Sequence, residues 1–105
     1  MGIFSALFGT KDNKRLEKVI SEGAYLMDVR SPAEFASGSV KGAVNIPLHT
    51  LHHETAKLKS KKNIVVFCQS GGRSSEAESM LKQAGVQNVT DGGGWRNVNK
   101  IVNQN

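Results

Sequence analysis

The chain has 105 residues, 38% of them apolar and 22% charged, with two prolines and a single cysteine. A chain of this size buries roughly two thirds of its unfolded surface in one core, so one compact domain is expected and a disordered or low-complexity chain is excluded. The net charge of +5 favours anionic partners, but no aromatic residues interleave with the basic clusters at Lys11, Lys14, Arg15 and Lys18 and at Lys57, Lys59, Lys61 and Lys62, so nucleic acid is not an expected partner.

One cysteine makes no intramolecular disulfide, and a free thiol has to be kept reduced; a cytoplasmic location is expected. The apolar run from Gly2 to Phe8 has neither a basic residue before it nor a small-residue cleavage site after it, and is too short to span a membrane. Residues 1–10 therefore read as an N-terminal arm, with a weak edge-strand signal from Ile3 to Phe8, and residues 11–105 as the folded domain.

Helical spacing of Leu16, Val19 and Ile20, with Asp12 as cap and Gly23 past the end, predicts a first helix over about 12–22. An extended segment, Tyr25 to Arg30, follows. Ser31-Pro32-Ala33-Glu34 then reads as a helix start, with a serine cap, proline in the first turn and glutamate closing a capping box. Ala43 to Ile46 is a short strand ended by Pro47, after which Leu48, Leu51, Thr55 and Leu58 recur at helical spacing up to Ser60. The clearest strand is Asn63 to Phe67, whose apolar run without alternation suits a strand covered on both faces. A helix over Ser74 to Ala84 capped by Gly85, a strand over Val86 to Thr90 and a last helix over about 95–102 complete the series. Alternating strands and helices with short connections predict an α/β fold, a doubly wound three-layer sandwich around a central parallel β-sheet.

Cys68 stands where the central strand ends, and Gln69, Ser70, Gly71, Gly72 and Arg73 lead from it into a helix, the place where open α/β sheets bind ligands. Gly71 and Gly72 permit the dihedrals that turn several backbone N–H groups onto one spot, a cradle for an anion. A cysteine thiol with pKa about 8.5 is only a few per cent ionised at neutral pH. Lowering that value by two units takes about 2.7 kcal/mol, more than the roughly 0.3–1 kcal/mol of a helix terminus, so the loop amides have to donate directly. Arg73 either adds a positive charge facing substrate or braces the loop. The inert alternative, a small buried residue ending a strand, sits poorly with the glycine pair, polar loop and arginine that follow.

Over these residues the chain resembles the rhodanese-like sulfurtransferases, whose active loop reads Cys-x-x-Gly-x followed by Arg, Thr or Ser. Asp28-Val29-Arg30-Ser31-Pro32-Ala33-Glu34-Phe35 with Gly38 and then Gly42 to Pro47, and Gly93-Gly94-Trp95 near the end, are similar to two further motifs of that family, in the same order. The resemblance covers about residues 13–100. It implies a rhodanese-like fold and a Cys68 nucleophile that takes a sulfane sulfur from thiosulfate or a persulfide. The resulting Cys68 persulfide passes the sulfur to cyanide or to a thiol such as glutathione or a thioredoxin-like protein, with no metal or organic cofactor. A monomer is expected. Asp28, Arg30 and Glu34 resemble the family's ionic cluster beside the loop, with Arg30 and Glu34 close enough in sequence to pair.

The chain departs from the pattern at Ser39, where many members have histidine, and at Val98, where many have a second aromatic residue. Gln69 and Ser70 are neutral where thiosulfate-specialised members often carry a cation, which leaves persulfides as rival donors. A second reading is a non-enzymatic sulfur-relay or interaction module docked to a partner protein. Related phosphatases and arsenate reductases wrap an oxyanion with Cys-x5-Arg, whereas the spacing here is Cys-x4-Arg and position 74 is Ser74, a cradle expected to be too small for phosphate. His49, His52 and His53 lie at helical spacings but lack a third ligand, so no metal is expected, and Trp95 reads as a core anchor.

Overall fold

The computed structural model describes residues 11–104. The edge strand expected near Ile3 to Phe8 lies outside them. Four parallel strands, β1 (Tyr25–Asp28), β2 (Val44–Asn45), β3 (Ile64–Cys68) and β4 (Val89–Gly94), form one sheet in the order β2-β1-β3-β4. The chain first winds outward from β1 to β2 and then reverses to β3 and β4, so the switch point lies between the carboxyl ends of β1 and β3, where a crevice opens in such sheets.

The residues of β3 explain why it is central. Ile64, Val66 and Cys68 face one layer, with Met27, Leu51, Leu58, Ala77 and Leu81, while Val65 and Phe67 face the other, with Leu16, Val98 and Ile101. All five residues of β3 are buried because helices cover both faces. One layer is α1 (Lys11–Ser21) and α5 (Trp95–Gln104); the other is the 3-10 helix Leu48–His53, α3 (Thr55–Leu58) and α4 (Gly72–Gln83). The short α2 (Pro32–Ala36) follows β1 and carries the expected capping box between Ser31 and Glu34. This is the predicted α/β sandwich with a central parallel sheet.

Several boundaries differ from the sequence reading. Helix α1 is already formed at Lys11, which puts Asp12 inside it rather than at its cap. The helical stretch expected from Leu48 to Ser60 breaks into a 3-10 helix and a single α-turn that meet at Glu54, whose φ of −108° stretches the backbone there. The strand expected from Val86 starts at Val89 instead. Val86 is engaged in a Schellman ending for α4, donating its N–H to Leu81 O while Gly85, at φ 88°, donates to Lys82 O. Helix α4 itself starts two residues earlier than expected, since Gly71 in the left-handed region (φ 113°) is its N-cap. Gly72 and Arg73 are thus the first turn of a helix rather than loop.

Candidate active site

Cys68 ends β3 at the switch point, and the left-handed turn at Gly71 folds the chain back over it. The Gly71 N–H donates to Cys68 Sγ at 3.0 Å and the Ser74 N–H at 3.3 Å. Both donors follow from helix geometry: Gly71 is the N-cap and Ser74 the third helical residue, within the turn whose amides have no partner in the helix. The Ser74 hydroxyl lies 3.6 Å from the same sulfur and donates to the Gly71 carbonyl at 3.1 Å. Burial pushes the Cys68 thiol up, but the Ser74 hydroxyl and the amides of Ser74, Gly71 and Ser70 outweigh it, and the thiol ionises below its ordinary value. Cys68 is 1% exposed, whereas the next two residues, Gln69 and Ser70, are exposed.

Of the five loop residues expected to surround the sulfur, Gly71 touches it by a hydrogen bond and Ser70 lends its amide, while the side chains of Gln69 and Arg73 engage Arg30 and Glu34. Ser74, absent from that set, supplies both an amide and a hydroxyl. Its amide faces the sulfur because it is the third residue after the Gly71 N-cap, where a helix N–H has no partner within the helix.

Arg73 braces the loop. Its guanidinium holds Glu34 through two hydrogen bonds, 2.7 Å to Oε1 and 3.0 Å to Oε2. Glu34 in turn accepts the Ser31 N–H at 3.0 Å as part of the capping box, so one carboxylate ties the start of α2 to the start of α4. The Arg73 guanidinium and the Ser31 N–H together hold the Glu34 carboxyl down to about 2, and Glu34 raises Arg73 in return.

The pair expected between Arg30 and Glu34 does not form. Arg30 is buried and locked onto Asp28, two residues back at the end of β1, with Nε at 3.0 Å from Oδ1 and Nη2 at 2.8 Å from Oδ2. Its remaining donors reach the Gly38 carbonyl at 2.6 Å and Gln69 Oε1 at 3.3 Å, and its face stacks 5.0 Å from the Trp95 ring. Ser39 donates to Asp28 Oδ2 at 2.6 Å. A buried ion pair thus backs the first loop residue, Gln69.

The glycines before Trp95 let β4 run against this loop: a Cβ on Gly94 would sit 3.1 Å from the Gln69 carbonyl oxygen. Trp95 is half-buried between Arg30 and Arg96, an anchor behind the loop. Beside the loop, on the α4 side of the sheet, a groove of about 450 Å³ is lined by Val29, Leu48, His49, His52, Arg73 and Met80, among others. Among the described residues, no group of three or more His, Cys, Asp and Glu is placed to hold a metal, and no helix is long and apolar enough to cross a membrane.

Comparison with known proteins agrees with this architecture. The family model for the rhodanese-like domain matches residues 12–100. A sulfurtransferase of Allochromatium vinosum is 33% identical over 69 residues, 66% of this chain and 64% of that protein. The thiosulfate sulfurtransferase PspE of Escherichia coli is 32% identical over 76 residues, 70% and 73% of the two chains. The solved structure of a rhodanese with anions from E. coli superimposes with a TM-score of 0.65 at 31% identity, covering 71% of this chain and 91% of that one. The chain spans just under two thirds of the Allochromatium protein's length. From a family model that takes in nearly all of the described fold, and from relatives and a solved neighbour that agree with it, the chain belongs to the rhodanese-like domain family.

Proposed function

We propose that the chain is a sulfurtransferase that carries one sulfane sulfur as a persulfide on Cys68, with Gln69, Ser70, Gly71, Gly72 and Arg73 as the active loop. The observation that carries this reading is the pair of main-chain amides, Gly71 at 3.0 Å and Ser74 at 3.3 Å, directed at one sulfur at the end of the central strand. Amides so placed favour the thiolate over the thiol, which supplies a nucleophile near neutral pH.

In the first half-reaction the Cys68 thiolate attacks the sulfane sulfur of the donor. A new S–S bond forms, and the donor's own bond breaks with its electron pair, leaving sulfite from thiosulfate or a thiolate from a persulfide. In the second, a thiolate or cyanide attacks the outer sulfur, and the electron pair of the Sγ–S bond returns to Cys68. Electrons balance within each step, so no redox partner is required.

Two observations favour a persulfide as donor over thiosulfate. Gln69 and Ser70 are uncharged, and the Arg73 guanidinium is held by Glu34, so the loop offers hydrogen bonds rather than a free cation to a dianion. The acceptor in this reading is a thiol, glutathione or a thioredoxin-like protein, and the groove beside Arg73 is of a size for a small thiol such as glutathione. Residues 11–105 act as one domain in this reading, as a monomer in a reducing cytoplasm. The Cys-x4-Arg spacing and the engagement of Arg73 with Glu34 leave no arginine fork for a phosphate, which weighs against a phosphatase or arsenate reductase.

Initial-rate kinetics test the proposal. Varying donor against acceptor should give parallel double-reciprocal lines, with turnover abolished in Cys68→Ser. Intersecting lines, or activity that survives Cys68→Ser, would contradict it.

A further inference from the structure

Ser74 is 0% exposed, and its hydroxyl stands between two acceptors, the Gly71 carbonyl oxygen at 3.1 Å and Cys68 Sγ at 3.6 Å. It carries one proton and donates to one of them at a time. The Gly71 carbonyl does not depend on it, because that oxygen also accepts the Ser75 N–H at 3.0 Å. The sulfur's demand varies with its chemical state. A thiol is itself a donor toward Ser74 Oγ, a persulfide Sγ is neutral and a weak acceptor, and a thiolate is an acceptor only. A hydrogen bond to an ion is stronger than one to a neutral carbonyl, so the charge on sulfur decides where the hydroxyl points.

We propose that Ser74 is a rotor that reads the state of the sulfur, donating to Gly71 O while Cys68 is a thiol or persulfide and turning onto Sγ when it becomes a thiolate. This rests on the reading of Cys68 as a sulfur carrier. The hydroxyl then acts on the leaving group of the second half-reaction. An incoming RS⁻ bonds to the outer sulfur of Cys68–S–SH, the Sγ–S bond breaks with its pair on Sγ, and the products are RS–SH, which keeps the persulfide proton, and the Cys68 thiolate. Ser74 stabilises that thiolate as it forms. In the first half-reaction the thiolate is the nucleophile, and losing the same hydrogen bond makes it more basic and no slower to attack.

The test compares the two half-reactions in single turnover, at a pH where Cys68 is ionised, for the wild type, Ser74→Ala and Ser74→Thr, alongside the pH profile of Cys68 alkylation by iodoacetamide. In Ser74→Ala the alkylation midpoint should rise by about one pH unit, as for loss of one hydrogen bond to an ion. The acceptor half should slow about threefold and the donor half should not slow, with Ser74→Thr restoring both measures. Equal slowing of the two halves with an unmoved midpoint would overturn the proposal and leave Ser74 a packing residue. The wild type alone gives a second readout that survives misfolding of the variants. The Gly71 carbonyl carbon resonance should move as Cys68 ionises, and a flat titration would overturn the rotor. A wild type that takes up no sulfur refutes the carrier reading instead, while the alkylation midpoint and the Gly71 titration still decide for or against the rotor.

Discussion

Arg73 and Glu34, 39 positions apart in sequence, share two hydrogen bonds of 2.7 and 3.0 Å, and through them the first turn of α4 is fastened to the capping box of α2. The arginine of the active loop is therefore a brace. Replacing Glu34 with Gln removes the charge that holds Arg73 and should loosen the amides that face Cys68. Because small misplacements of a reacting group are costly, sulfur transfer is expected to fall about tenfold with the fold retained. Steady-state kinetics with circular dichroism as a control check this, and unchanged turnover in Glu34→Gln would show that the brace is dispensable.

The same pair sets a pH window. Glu34 is depressed from an ordinary 4.5 to about 2, so its contribution to stability is fully present above the ordinary value and is lost as the pH falls toward about 2. Thermal midpoints measured between pH 2 and 5 should fall more steeply for the wild type than for Glu34→Gln, and the two curves should converge at the acid end.

Cys68 combines a lowered ionisation point with near-complete burial, and the two have opposite effects on its reactivity. Its alkylation profile should have a midpoint below the roughly 8.5 of a free cysteine. Its reaction with a bulky maleimide should nevertheless be at least about tenfold slower than a free thiol's at the same degree of ionisation, because the residue is 1% exposed. A midpoint at or above the free value would show that the amides do not favour the thiolate.

Two of the three glycines of β4, Gly92 and Gly94, separate loop geometry from core packing. A Cβ on Gly92 would meet Val98 Cγ2 at 2.8 Å and Val65 Cγ1 at 3.0 Å, so Gly92→Ala overpacks the core and should cost about 1–3 kcal/mol in urea unfolding. A Cβ on Gly94 would meet the Gln69 carbonyl at 3.1 Å, so Gly94→Ala should displace the active loop and lower turnover at smaller cost in stability.

The sandwich is legible from the alternation of strands and helices, and the position of Cys68 from β3, an unbroken apolar run followed by cysteine, glycines and a helix start. The partnerships of the charged residues are not. Arg30 lies four positions from Glu34, yet it pairs with Asp28: it sits at the bend just past β1, where its own N–H also donates to Asp28 Oδ1 at 2.9 Å, while Glu34, in the helix beyond, is held by Arg73. Ser74 escaped for a related reason. Its role depends on Gly71, rather than Gly72 or a later residue, being the N-cap, and the two adjacent glycines leave that choice open in the sequence. The late start of β4 has a local cause, the Schellman ending at Gly85 and Val86, that competes with strand propensity and wins.

Intact-mass spectrometry of the whole chain after exposure to thiosulfate, and separately to a small-molecule persulfide, tests the central claim most directly. The expected result is a gain of one sulfur atom, greater with the persulfide, removed by cyanide and absent from Cys68→Ser. A wild-type mass unchanged by either donor, or a gain that persists in Cys68→Ser, would contradict the account.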